Sequence, residues 1–501
     1  MPRLTGPVRL ALAALLATLA TGPAPAQAPA DEAAAAKALD QLAAQDKYPL
    51  RHDPERARKV RGERVQANLA DTLGVFQKTA GASAPWAAKA RAAFEVWAQK
   101  LAQEDLCGAS DSGMTLGAHK AAADAIAAGC DDPLIRYWIA VQDARASGVG
   151  DAARMGRLRD AVAALDKSPY PDVLKLIAVH QWAARQALLP VGSPLRADES
   201  VWDSRFYALL GRVAKQRAPS ADRLVLKLVE AREAALVGPS RPRPEVFALL
   251  AKQLEDTGAS KYLLLMAEGE HLTRVAWDIR GGGFADTIPA ERLKAFREKL
   301  EAAKEKLEAA WAEDKTRFEA PTARLHICRG LPADRDAMEV WFARALEANP
   351  DNKPACLMKL EYLSRKWHGT FNDHIAFAWM LCKSGNWSGQ FGLVPVESHS
   401  GQGIAPVVGP TYQRSKEAIQ KYYADARVWL TVKVGLEGQL QVSPGNPILR
   451  TLYAKVAVLG GRPAVAAEHF EKLGENYTKS YFQNVQDYNE CLEAARTAKK
   501  K

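Results

Sequence analysis

Helical periodicity runs almost unbroken along this chain and limits its fold more than any other feature. Apolar residues recur at three- and four-residue spacing and strict alternation is rare, which argues for amphipathic helices and against sheets. In residues 84–102, Trp86, Ala90, Phe94, Trp97 and Leu101 share one face. In "ERLKAFREKLEAAKEKLEAAW", Leu293, Phe296, Leu300, Ala303, Leu307 and Ala310 share another, and Lys and Glu fill the rest at spacings that permit i,i+4 pairs. Only about three heptads are present, so this long charged helix is expected to pack on neighbours rather than form a coiled coil. Short turns such as "GCDDP", "SGVGD" and "SPYPD" separate helices expected to run about 12 to 28 residues. The implied fold is all-α: roughly twenty helices in antiparallel hairpins, each burying its apolar face on the next, as in an α-solenoid.

Two stretches make that solenoid tetratricopeptide-like (TPR-like). In "DRDAMEVWFARALEANPDNKPA", Phe342, Ala345 and Pro350 have the spacing of the second-helix aromatic, the small residue that admits a close neighbour, and the proline that stops the helix. In the C-terminal "YAKVAVLGGRPAVAAEHFEKLG", Gly461, Ala466 and Phe470 repeat the turn, small and aromatic positions. The organisation expected is a leader over 1–30, an N-terminal helical region over 31–190, a central region with the long charged helix over 191–330, and TPR-like repeats over 331–501.

The leader rests on Arg3 and Arg9, the apolar run from Leu10 to Leu19, and the small residues that follow, which is the layout of a secretory signal peptide. Cleavage is expected after Ala26 or Ala30. The apolar run is shorter than the about 20 residues a spanning helix needs, and no later stretch reaches that length, so no transmembrane segment is expected in the mature chain. These features predict an exported protein, periplasmic or secreted. Net charge is +10 over 501 residues, and losing two leader arginines leaves about +8. The charge is spread out, without basic stretches interleaved with aromatics, so nucleic acid is not an expected partner. A basic surface does suit acidic envelope glycans. Six cysteines in an oxidising compartment suit disulfides, and the first pairings expected are Cys107 with Cys130 and Cys328 with Cys356, each flanking one helix. Cys382 with Cys491 then follows by elimination.

Two stretches raise the question of chemistry. "RGGGFADT" carries Gly281 and Gly283 of a dinucleotide loop, but Asp286 stands where the third glycine belongs and the preceding segment reads as helix, with Leu264, Ala267, His271, Val275 and Trp277 near one side. The glycines are expected to end a helix, where a left-handed residue closes the last turn, with Phe284 tucked beneath and Arg280 available for pairing. "LSRKWHGTFNDHIAFAWMLCKSGNWSGQFGLVPVESHSG" holds His368, Asp373, His374, Glu397 and His399, without the spacing of a histidine metal motif. Thr370 is expected to cap a helix, Trp367 to be a buried anchor before it, and His399 to be a lone histidine at a helix end, satisfied as a structural group. No nucleophile elbow is present, no carboxylate pair stands out for acid–base work, and no catalytic residue, metal site or cofactor is expected.

Taken together, "AWDIRGGGFADT", "FARALEANPDNKPA", "RKWHGTFNDHIAFA" and "YAKVAVLGGRPAVAAEHFEKLG" resemble an uncharacterised bacterial family catalogued as a domain of unknown function (forty thirty-four), over roughly residues 260 to 485. The resemblance implies a TPR-like helical fold and no established activity. It marks Arg280, Gly281, Gly283, Trp367 and Gly369 as structural or recognition positions, with Thr370 where the family pattern has serine. The function expected from these observations is a non-enzymatic scaffold binding a protein or peptide. The alternatives are a hydrolase or lyase acting on envelope polymer, with a groove holding carboxylates beside Trp387 and Phe391, or a glycan binder without turnover.

Overall fold

The computed structural model describes residues 32–110, 112–147, 151–190, 192–196, 199–238, 241–282, 287–400, 416–478 and 485–499. The expected leader with its cleavage points, and Gly283, Phe284 and Asp286, lie outside these residues. Among the described residues there are about 22 α-helices and no strand, packed as sequential pairs. In chain order they are α1 (Glu32–Gln45), α2 (Pro54–Asp71), α3 (Ala87–Cys107), α4 (Ser112–Ala127), α5 (Pro133–Ser147), α6 (Ala152–Asp166), α7 (Asp172–Gln186), α8 (Glu199–Ala214), α9 (Pro219–Leu236), α10 (Arg243–Asp256) and α11 (Lys261–Arg280). There follow α12 (Ala290–Glu313), α13 (Glu319–Gly330), α14 (Arg335–Ala348), α15 (Lys353–Tyr362), α16 (Phe371–Lys383), α17 (Leu393–Ser400), α18 (Lys416–Ala424), α19 (Ala426–Val442), α20 (Pro447–Leu459), α21 (Pro463–Leu473) and α22 (Val485–Lys499).

The chain divides into two compact units. One has its described residues within Met1–Arg58, Leu106–Gly113 and Pro332–Lys501; the other comprises Lys59–Asp105 and Met114–Leu331. In the second unit α5 pairs with α6, α7 with α8 and α11 with α12, and helices also touch the next but one, α7 with α9, α8 with α10, α9 with α11 and α11 with α13. The long helix α12 buries Phe296, Leu300, Ala303, Leu307 and Ala310, the stripe read from its sequence. It approaches α11 so closely that a Cβ at Gly269 would lie 2.7 Å from Leu307. On α11 the buried face is rotated from the one expected: Leu263, Met266 and Ala276 are buried with Ala267 and His271, while Leu264 and Val275 are only partly covered. Trp97 of α3 stacks on Trp138 of α5 at 4.3 Å, and each such buried aromatic adds about 1.5–3 kcal/mol through the water it excludes.

In the first unit α1 lies on α16 and α19, fixed by the Trp379 indole donating to Asp40 (2.7 Å) and the Trp429 indole donating to Glu32 (2.9 Å). Helices α20, α21 and α22 continue pairwise, with Ala466 and Phe470 in the core and Gly461 at positive φ in the turn. Phe342, Ala345 and Pro350 are likewise buried.

The expected disulfides are absent. Cys107, Cys130, Cys328 and Cys356 are free and buried, as are Cys382 and Cys491. Several sulfurs meet polar atoms other than sulfur: Cys382 lies 3.3 Å from the Thr431 carbonyl, Cys328 lies 3.3 Å from the Arg324 guanidinium, and Cys491 lies 3.7 Å from the Lys455 amine. Flanking one helix in sequence does not bring two sulfurs together, because a bridge needs its Cβ atoms about 3.8 Å apart.

Candidate ligand cleft

Helix α1 ends at Gln45, and Pro49 and Pro54 keep the next residues extended until α2 begins. Asp53 starts α2: its Oδ1 accepts from the backbone N–H groups of Glu55 and Arg56, both at 3.0 Å. The strap 46–53 is tied to α14 by side chains. Arg335 pairs with Asp46 at 3.1 Å, Lys47 pairs with Asp336 at 3.2 Å, and the Tyr48 hydroxyl donates to Asp336. Asp334 caps α14 by accepting from the Ala337 N–H at 2.9 Å. That fixes the helix rotation, so that Met338, Trp341 and Ala345 face the core while Ala343 and Glu347 stay exposed.

Strap and helix enclose a half-open cleft of about 600 Å³, a size that suits a small ligand or a short chain segment. Phe342, Leu346 and Pro350 supply apolar surface, and Arg51, His52 and Arg56 come from the strap side. Beneath it lies a buried ion cluster. The Glu339 carboxylate accepts from Arg335 Nε at 2.7 Å and from Lys359 Nζ at 2.6 Å. Lys359 is 1 % exposed and sits between the rings of Phe342 and Phe377, at 4.5 and 4.4 Å. Burial pulls its amine below the ordinary lysine value, against the pull of Glu339. A smaller cavity of about 290 Å³ lies along Pro49, Leu50, His52, Met380 and Lys383, and the His52 ring packs on Phe391 at 5.4 Å. The sequence reading missed this cleft. Its available signal was "DKYPLRHDPE", two prolines bracketing a short stretch that ends in a capping aspartate.

The residues singled out from sequence fall elsewhere. Gly281 closes α11 with φ +69°, its N–H donating to the Trp277 carbonyl at 2.9 Å, so the glycine stretch leaves a helix rather than a strand. Arg280 is buried at 8 % exposure; its guanidinium donates to the Gly281 carbonyl at 3.0 Å and lies over Trp277. Burial and the Arg280 charge push Arg329 down to about 10, and burial together with the Arg329 charge pushes His326 down to about 3.

In the first unit Thr370 forms a capping box with Asp373 at the start of α16. Gly369 is required just before it, because a Cβ there would stand 2.2 Å from the Leu363 carbonyl oxygen. Trp367 is only partly covered and is not the buried anchor expected; Phe377, fully buried, anchors α16. His399 lies in the last turn of α17, buried and hydrogen-bonded: its nitrogens reach the Tyr422 hydroxyl (2.6 Å) and Thr431 (3.2 Å), and its ring meets His374 edge-on at 5.6 Å. Burial pushes His374 down to about 4 and holds His399 well below the usual histidine range. Trp387 packs against Gly392 and Gly438, and Phe391 is fully buried, so both serve packing. Among the described residues no group of three or more His, Cys, Asp or Glu side chains is placed to hold a metal ion, and no helix is long and apolar enough to cross a membrane.

The second unit also carries buried charge. Arg223 joins Asp105 (3.1 Å) to Glu319 (2.6 Å), and Arg317 joins Asp222 at 2.7 Å. Nearby on α9 and α11, the fully buried Glu233 accepts from Arg274 at 2.6 Å and meets His271 Nδ1 at 2.8 Å. Glu270 is pushed up to about 7, chiefly by burial, against the pull of Arg274 and with help from Glu230, Glu319 and Glu233. No protein-family model matches the chain, and no curated protein matches it.

Proposed function

We propose that this protein is an exported, non-enzymatic helical-repeat scaffold of the cell envelope that holds a peptide or protein segment in the cleft between 46–53 and α14. The cleft is the observation that carries the reading: it has apolar surface from Phe342 and Leu346, charged side chains around it, and room for a few residues of chain. The finer fold assigned is a TPR-like α-solenoid, supported by the packing of helices on both the next and the next-but-one element and by the Phe342–Ala345–Pro350 spacing. Export rests on the first thirty residues, and the likeness to the domain family of unknown function belongs to the same reading.

Peptide selection on the full mature chain tests it, with Ala343→Trp as the control. Ala343 is exposed beside the cleft, so the larger ring fills the space without entering the core. Peptides enriched on the wild type and lost on A343W are expected; peptides retained equally by both would overturn the assignment.

A further inference from the structure

The charges around the cleft are not equally available to a ligand. Lys47 is paired with Asp336, Asp53 is engaged by the first turn of α2, and Glu339 is shared between Arg335 and Lys359. Among the described residues, the side chains of Arg51 and Arg56 on one side and of Glu347 on α14 have no ion-pair partner. Two guanidiniums thus line a cleft beside the apolar surface of Phe342, Leu346 and Pro350. A guanidinium fork matches a carboxylate in two parallel hydrogen bonds, and apolar surroundings strengthen such a bond.

We propose that the cleft selects an acidic peptide segment, with a carboxylate held by Arg51 and Arg56 and the opposite edge of the segment facing Glu347. This deepens the peptide-binding reading and rests on it. A lysine-rich segment would meet two cations and one carboxylate, and is disfavoured. An acidic sugar fits less well, because the rings it would stack on are in use: Lys47 and Arg335 lie over Tyr48 at 4.9 and 5.3 Å, and His52 packs on Phe391.

The test uses the full mature chain and four fluorescent probes: three short peptides on one Leu/Pro frame carrying Glu, Lys or Gln, and an oligogalacturonate. The Glu peptide should bind tightest, weaken with added salt, and lose about tenfold or more in affinity in R51A/R56A, a change of about 1.4 kcal/mol. R51K/R56K should fall between, since lysine keeps the charge without the fork, and Glu347→Ala should bind the Glu peptide at least as well as wild type. Both arginines are exposed, and helical content measured by circular dichroism verifies that the variants fold. Lys or Gln peptides bound as tightly as Glu and lost in A343W would overturn the acidic preference while leaving the peptide reading intact. Glu-peptide binding unchanged in R51A/R56A, or tighter binding of the oligogalacturonate, would overturn the proposal. No binding by any of the three peptides would overturn both.

Discussion

Glu270→Gln tests the electrostatics of the second unit at a single position. The carboxyl rises from 4.5 to about 7, mainly through burial. A raised value means that the folded chain holds this proton more tightly than the unfolded chain. The associated stability is complete below about pH 4.5 and is lost as pH climbs through about 7. At about 1.4 kcal/mol for each tenfold in proton affinity, ionised Glu270 costs the fold roughly 3 kcal/mol above that range. Its side chain keeps 27 % of its surface exposed, so solvent screens part of this and roughly 2 kcal/mol is expected. Gln preserves the shape and never ionises. Thermal unfolding followed by circular dichroism should therefore show E270Q melting on the order of 4 °C above wild type at about pH 8.5, and level with it at about pH 4.5. An equal shift at both pH values, or a variant less stable at high pH, would refute the assignment of this energy to the Glu270 charge.

Three further outcomes follow from the same geometry. All six thiols should resist a thiol reagent in the native chain and all six should react on unfolding, since burial pushes Cys130 up to about 11 and Cys382 up to about 12, and Cys356 higher still; fewer than six reactive thiols in the unfolded, unreduced chain would mean that a disulfide exists. The His374 imidazole should titrate by NMR near pH 4, and the stability it contributes, on the order of 3 kcal/mol, is present above about pH 6.5 and lost as pH falls through about 4. Gly369→Ala should cost at least about 2 kcal/mol in chemical denaturation, because its Cβ meets the Leu363 carbonyl; Gly62→Ala in α2, where a Cβ meets nothing within 4 Å, should be neutral or gain up to about 1 kcal/mol.

What the sequence made legible follows from what periodicity encodes. The α12 stripe and the Phe342–Ala345 pair are visible because one face of a helix is buried along its whole length. The rotated face of α11 was harder to read, since the helix carries polar groups into the core: Thr273 and Arg280 are buried on it, and His271 meets the buried Glu233. Thr370 was readable because capping is local, whereas the pairing of His399 with His374 joins helices α16 and α17 and leaves no local mark. The cysteine spacing misled, because proximity along a chain does not orient Cβ atoms. The cleft escaped notice for a similar reason: Arg51 and Phe342 lie far apart in sequence, and their meeting depends on the ion pairs of Asp46 and Lys47 with α14.

Hydrogen exchange of the full mature chain, with and without a selected peptide at saturation, tests the central claim most directly. The cleft reading predicts new protection over residues 46–53 and 339–350, absent in A343W. Protection confined to the unit of residues 59–105 and 114–331, with 339–350 unchanged, would contradict it.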